Sequence, residues 1–152
     1  MKIYQILVVL MALSGLFVNM AAGAQYNSSG YDNNTLTTMK VFADMNTVKV
    51  VMNTDSTYLS VKINQSKVMQ KSSNESIGYQ GLLQSGPLQF GDDFKIGKGF
   101  NAEKKAIVRL PGTYNPMIDT YMVVTAYLQT IDGKAGIMQV VVHIPPQNNS
   151  GV

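Results

Sequence analysis

The sequence predicts an all-β domain, built as an antiparallel β-sandwich of about seven to nine short strands. Three observations predict it. Apolar and polar residues alternate with period two in segments that turn-forming residues separate. No segment after Ala24 has helical periodicity of useful length. The last long apolar stretch divides into two strands with an Asp-Gly turn between them.

That apolar stretch predicts strands over Tyr121–Gln129 and Ile137–Ile144, with Asp132 and Gly133 in the connecting turn. The first of these strands is apolar on both faces, which is typical of a central strand covered on both sides. The second has one apolar face, and Pro145 then ends the pairing because proline has no N–H to donate. We expect this hairpin to close an immunoglobulin-like sandwich.

The N-terminal half contains a second well-patterned strand. One face of this strand carries the largely apolar residues Thr37, Met39, Val41, Ala43 and Met45. The apolar parity then reverses within Asp44–Thr47, which predicts a bulge, a bend or a crossing between sheets. Thr47–Met52 and Tyr58–Ile63 follow as a predicted antiparallel hairpin. Lys71–Asn101 is the least regular part, interrupted by glycines and a proline.

The first residues indicate export. Lys2 precedes an apolar run over 6–18 and the small residues Ala22-Gly23-Ala24, which together predict a secretory signal cut after Ala24. The expected organisation is a signal peptide over 1–24, a flexible mature N-terminus over 25–34, a β-sandwich over 35–146 and a disordered tail over 147–152. The protein is expected to be secreted, or to lie at the cell surface or in the periplasm, with no membrane span after signal cleavage.

Composition narrows the function further. The chain has no cysteine, so a small exported domain of this kind must be stabilised by burial, by self-association or by both. Its basic residues are scattered and form no stripe with aromatic side chains, which argues against nucleic acid as a partner. We expect self-association or another envelope or surface protein as the partner.

Residue chemistry does not favour an enzyme. His143 is the only histidine, and it lies on the polar face of the last strand, where a surface residue is expected. Asp92-Asp93 lacks the spacing of a calcium loop. The sequence therefore predicts no catalytic residue, no metal and no cofactor. Tyr79 and Tyr114 lie in predicted loops, where aromatic side chains can contact a ligand or a partner.

Two segments carry a family resemblance. Gly112-Thr113-Tyr114 precedes Asp119-Thr120 and the predicted strand Tyr121–Gln129, and the alternating segment Thr35–Met45 follows the mature N-terminus. In these features the chain resembles chaperone–usher fimbrial subunits, which implies assembly by donation of a β-strand to a neighbouring copy. It departs from them in the added strand Ile137–Ile144, and in this respect it resembles self-complete bacterial immunoglobulin-like modules.

Two functions follow. The first is a structural or adhesive subunit of a fimbria-like surface filament, assembled through β-strand contacts, with Thr37, Met39, Val41, Ala43 and Met45 in the donor or edge strand. The alternative is a self-contained periplasmic or secreted immunoglobulin-like binding module for a glycan, peptide or envelope protein. In that case Tyr79 and Tyr114 are the expected contact residues.

Overall fold

The computed structural model describes residues 25–63, 66–70, 83–84, 88–110 and 114–147. These residues form two antiparallel sheets, one of four strands and one of six, that pack face to face. The predicted all-β sandwich is therefore confirmed. Among these residues, no helix is long and apolar enough to cross a membrane.

The described residues form ten strands. In order they are β1 (Tyr26–Asp32), β2 (Thr37–Ala43), β3 (Thr47–Thr54), β4 (Tyr58–Ile63), β5 (Lys67–Gln70), β6 (Leu83–Gln84), β7 (Phe94–Gly97), β8 (Asn101–Ile107), β9 (Thr120–Thr130) and β10 (Ala135–Ile144). The first sheet has the order β1-β2-β3-β8. The second sheet has the order β6-β5-β9-β4-β7, with β10 paired to the other side of β9.

The strand order follows the immunoglobulin pattern. In that pattern the first, second and fifth strands are neighbours in one sheet, and the third, sixth and seventh are neighbours in the other. Here β2, β3 and β8 are neighbours in the first sheet, while β4, β9 and β10 are neighbours in the second. The chain adds β1 at the edge of the first sheet. In the second sheet it adds β7 beside β4, and β5 and β6 beside β9.

Strand β9 is the centre of the second sheet. On one side it pairs with β10 from Thr120 to Gln129. On its other side, its first residues pair with β5 and its last residues pair with β4. Because neighbouring strands flank β9 along its length, its side chains are buried or half-buried on both faces at all positions except Gln129. The closing hairpin predicted from the sequence is confirmed.

The core lies between the two sheets and is largely aliphatic. The first sheet contributes the alternating inward residues of β2 and β3, and the second contributes those of β4, β9 and β10. Its fully buried large side chains include Met39, Met52, Leu59, Met122 and Ile144. Unbranched methionine side chains fill irregular gaps between sheets well, which explains their number here.

The segment over 25–34 is not a flexible terminus, because Tyr26–Asp32 forms β1 and pairs with β2 along its whole length. The inward face of β1 contains Ser28 and Gly30, so it has no apolar alternation for sequence analysis to detect. Small residues are needed there because β10 passes close beneath: a Cβ atom on Gly30 would lie 3.3 Å from Cγ2 of Val140.

The parity reversal near residue 45 is a hairpin turn, and not a bulge or a sheet crossing. The Asp44 carboxylate accepts hydrogen bonds from the N–H groups of Asn46 and Thr47 at 2.7 and 2.8 Å, and β2 and β3 pair directly across this turn. The predicted hairpin of Thr47–Met52 with Tyr58–Ile63 is wrong, because β3 and β4 belong to different sheets. The crossing therefore occurs one turn later than the sequence indicated.

Several predictions concern residues outside the described ranges. The signal peptide over 1–24 and Tyr79 lie outside them, as does the tail over 147–152 except for Gln147. The N–H of Gln147 donates to the carbonyl of Pro116 at 2.6 Å, which ties the end of the described chain to the loop before β9.

Candidate functional site

An open groove of about 570 Å³ lies on the outer face of the second sheet. It crosses β4, β9 and β10, and Asp93 borders it just before β7. Its lining residues are Ser60, Val61, Lys62, Asp93, Tyr127, Leu128, Gln129, Ala135, Gly136 and Ile137. A concave surface that combines apolar, aromatic and a few polar groups is the usual form of a ligand site.

Strand register builds the groove from two parallel rows. Ser60 of β4 pairs with Gln129, and Gln129 pairs with Ala135 of β10. In the adjacent row on the same face, Lys62 pairs with Tyr127, which in turn pairs with Ile137. Residues two apart on a strand point to the same face, so both rows face outward.

The two rows differ in their side chains. The first row begins and ends with the short side chains Ser60 and Ala135, whereas the second carries Tyr127 and Ile137. Ile137 is 65% exposed and Tyr127 is half-buried, so apolar surface lies beside the row that contains Gln129. A ligand in the groove can therefore contact an aromatic ring and polar groups together.

Charged side chains border one side of the groove. Lys62 and Asp93 line it, and Lys95 pairs with Ser60 in the ladder between β7 and β4. All three are exposed, and none takes part in an ion pair among the residues that the structure describes. They are therefore available to hydrogen-bond a ligand without first breaking an internal salt bridge.

Recognition at this groove must come from side chains. β4, β9 and β10 are hydrogen-bonded to one another beneath it, so their backbone N–H and C=O groups are used within the sheet. An extended peptide cannot add to a sheet at such a position, because β-augmentation requires a free edge. The exposed groups are a hydroxyl, a primary amide, a carboxylate, ammonium groups and a phenol ring.

The groove lies toward one end of the sandwich. Three large apolar side chains are exposed at this end, in turns or at the start of a strand. Phe100 is 71% exposed, Ile131 is 77% exposed and Tyr58 is 40% exposed. Backbone contacts join these positions: the N–H of Ile131 donates to the carbonyl of Tyr58 at 3.3 Å, and Tyr58 pairs with Gly97 beside Phe100. We call these three residues the apolar tip.

His143 lies at the opposite end of the same outer face. Its Nε2 atom is 2.7 Å from Oδ1 of Asp119, and its ring stacks on Tyr121 with the ring centroids 5.0 Å apart. The side chain is about half exposed, in agreement with the predicted surface position. The described residues contain no group of three His, Cys, Asp or Glu side chains able to hold a metal ion.

The predicted donor strand is an inner strand of the first sheet. β2 pairs with β1 on one side and with β3 on the other, so it is not an edge. Its inward side chains Thr37, Met39, Val41 and Ala43 are fully buried, and Met45, just after the strand, is half-buried. The alternation that suggested strand donation instead reflects burial in the chain's own core.

The Tyr114 side chain packs partly inside the domain instead of projecting freely from a loop. Its side chain is half-buried, and its hydroxyl contacts the sulfur of Met45. Burial raises the pKa of the Tyr114 phenol, and a hydrogen bond with Thr120 opposes that rise. The structure does not bring Tyr114 to the groove lining.

Sequence analysis missed the groove residues. Ser60, Lys62, Tyr127 and Gln129 were visible only as polar or outward positions of predicted strands. Their proximity depends on β4 pairing with β9, which are 57 or more residues apart in the chain. The signal available was the alternation that places Tyr127 and Gln129 on the same face of the predicted strand.

Comparisons with known proteins identify no family for this chain. No protein-family description and no curated protein matches the chain. Among solved structures, it is similar to a Bordetella pertussis protein assigned as ApaA, with a TM-score of 0.43 and 13% sequence identity. That alignment covers 82% of this chain and 95% of the other.

Proposed function

We propose that this protein is an exported, non-enzymatic binding module that holds a saccharide in the groove of the second sheet. The observation that carries the proposal is the composition of the groove: a phenol ring and an isoleucine beside exposed hydroxyl, amide, carboxylate and ammonium groups. A sugar ring presents an apolar C–H face and many hydroxyls, and it can satisfy both kinds of group at once.

Tyr127 has the stacking role in this proposal. Its ring lies in the row between Lys62 and Ile137, where the apolar face of a sugar can pack on it. Ser60 and Gln129 form the adjacent polar row and hydrogen-bond the sugar hydroxyls. Asp93 accepts hydrogen bonds and Lys62 donates them, so both polarities of a hydroxyl are matched.

A filament subunit that donates residues 35–45 is supported less well. Donation would require β2 to leave two ladders and would remove Met39, Val41 and Ala43 from the core. The cost of exposing such side chains is several kcal/mol, about 1.5–3 kcal/mol for each large one. We therefore favour the binding module over strand donation by this segment.

The first test is a glycan array probed with residues 25–152, followed by calorimetric titration of the saccharide that binds. We expect Gln129→Ala and Lys62→Ala, both at exposed positions, to weaken binding by about tenfold each, since each loses a hydrogen bond worth roughly 1–1.5 kcal/mol. Tyr127→Phe retains the ring and should bind nearly as tightly as the unmodified protein, whereas Tyr127→Ala should not.

The matched control is Tyr31→Ala, which removes an exposed tyrosine from the outer face of the first sheet. It should leave saccharide binding unchanged. Binding that survives all the groove substitutions, or an array on which no saccharide is retained, would refute the proposal. Retention of peptides alone would assign a different class of ligand to this domain.

A further inference from the structure

Strand β1 forms an open edge of the first sheet. All seven of its residues pair with β2 in an unbroken register, from Tyr26 opposite Ala43 to Asp32 opposite Thr37. Within the part of the chain that the structure describes, no strand is paired to its other side. That side therefore presents a row of backbone donors and acceptors, which is a template for another strand.

The other edge of the same sheet is protected in the usual way. The edge strand β8 contains Glu103, Lys104 and Lys105, and charged side chains on an edge discourage pairing with another chain. The exposed side chains of β1 are Asn27, Ser29 and Tyr31, none of which is charged. β1 also contains no proline, so this edge carries neither of the two common protective features.

The only charged residue of β1, Asp32, does not protect the open edge. The Asp32 carboxylate lies at the end of the strand and accepts hydrogen bonds from the N–H and the hydroxyl of Thr35, at 2.8 and 2.5 Å. It is half-buried against the backbone of Gly136 in β10. The charge is thus satisfied within the chain and does not project from the open edge.

Packing against β10 holds β1 in place. Gly30 of β1 lies over Val140 and Met138 of β10, close enough that a Cβ atom on it would be 3.3 and 3.5 Å from their side chains. The inward face of the strand is therefore seated on the second sheet, and its open edge is a fixed part of the sandwich surface. A fixed edge needs little ordering when a partner strand binds.

We propose that β1 pairs with β1 of a second copy of this chain, antiparallel about a two-fold axis at Ser29. The two first sheets would then join into one continuous sheet across the dimer. Antiparallel pairing about Ser29 places Asn27 of one copy opposite Tyr31 of the other, and the same contact repeats on the far side of the axis. Such an interface is isologous and closes after two copies.

Charges near the axis permit this pairing. Lys40 of β2 lies beside Ser29, and it is the nearest charge on that outer face. Three strand spacings would separate the two Lys40 residues of a dimer, about 14 Å. That distance exceeds the screening length of about 8 Å at physiological salt, so their repulsion is small. The exposed pairs at the axis are uncharged, and Asp32 is engaged by Thr35.

The expected affinity is modest. A single pair of seven-residue strands buries less surface than the roughly 1,200 Å² of a stable standard interface. The fraction of dimer should therefore depend on protein concentration, with a dissociation constant on the order of 0.1 mM. This proposal is independent of the saccharide groove, which lies on the other sheet.

The test is sedimentation velocity of residues 25–152, which contain all ten strands, from about 10 µM to 1 mM. The unmodified chain should shift from monomer toward dimer. Ser29→Lys and Ser29→Glu should each remain monomeric, because two like charges would stand directly opposite at the axis. An equimolar mixture of the two variants should dimerise again, because the charges opposite each other are then of opposite sign.

The matched control is Asn101→Lys, which adds a charge at an exposed position of β8, the other edge of the same sheet. It should dimerise like the unmodified chain. A second variant pair, Phe100→Ser and Ile131→Ser, tests association through the apolar tip. The proposal is overturned if the unmodified chain remains monomeric to 1 mM, if Ser29→Lys dimerises normally, or if the tip variants abolish the dimer.

Discussion

The turn between β9 and β10 is fixed by one hydroxyl. The Thr130 hydroxyl donates to Oδ1 of Asp132, and the Thr130 Oγ1 atom in turn accepts the N–H of Lys134 at 2.9 Å. Gly133 supplies the positive φ of 88° that the turn requires. The hydrogen bond from Thr130 is the main reason that the pKa of Asp132 lies below its ordinary value, and the charge of Lys134 adds to the effect.

We therefore expect the Asp132 carboxyl to titrate below its ordinary pKa of about 3.9 in the folded protein. A carboxyl whose pKa is lower in the folded state stabilises the fold above the unfolded pKa, and that contribution is lost as the pH falls through the folded pKa. An NMR titration of the side-chain carboxyl measures the midpoint. In Thr130→Val, which keeps the β-branched shape, the midpoint should rise. An unchanged midpoint would show that Thr130 is not the cause.

Single residues were predicted well where burial alone decides their position. The inward parity of Met39, Val41 and Ala43 was read correctly, and their burial is complete. The groove residues Ser60 and Tyr127 were not identified, because only the pairing of distant strands makes them neighbours. Side-chain alternation reports which face a residue occupies, and it carries no information on which strand lies beside it.

At the scale of elements, the strongest prediction was the hairpin of β9 and β10, because its turn residues and its strands agree with each other. The predicted β3–β4 hairpin failed for a physical reason. A short turn between two alternating strands is compatible with pairing and equally with a crossing to the facing sheet. β1 escaped detection because its inward face carries Ser28 and Gly30 at its middle, and the close packing of Gly30 on β10 requires a small residue there.

The contact between β1 and β10 can be tested at Gly136. A Cβ atom on Gly136 would collide with the Asp32 carboxylate, whose Cγ would be only 2.9 Å away. We expect Gly136→Ala to lower the free energy of unfolding by about 1–3 kcal/mol, measured by urea denaturation.

Asp32→Ala provides the matched background for that measurement. Asp32→Ala alone loses the hydrogen bonds to Thr35 and should destabilise the fold by itself. In the Asp32→Ala background, however, Gly136→Ala should cost much less than it does in the unmodified chain, because the colliding carboxylate is gone. Equal costs in the two backgrounds would mean that Asp32 does not press on this glycine.

For the whole molecule, the sequence indicated the all-β class and the immunoglobulin-like sandwich, both of which the structure confirms. It could not supply the order of strands within each sheet, because that order is determined by contacts between residues far apart in the chain. The assembly function was inferred from a segment whose alternation proved to be core burial.

A truncation tests how much the first two strands contribute to the stability of the fold. Residues 47–152 lack β1 and β2, and with them the fully buried Met39, Val41 and Ala43. We expect this fragment to lose its cooperative thermal transition by circular dichroism, because half of the first sheet and its core contribution are gone. A fragment over 34–152, which lacks only β1, should retain a transition at a lower temperature. Cooperative unfolding of 47–152 would show that β2 is dispensable.

The position of β9 in the chain has a consequence for how the protein is made. β1, β2 and β3 form a meander of neighbours, so the first three strands can pair as soon as they leave the ribosome. β4 and β5 have their central partner only when residues 120–130 emerge. Until then the second sheet consists only of two separate pairs, β4 with β7 and β5 with β6. We therefore expect the second sheet to form last, when β9 joins these two pairs into one sheet.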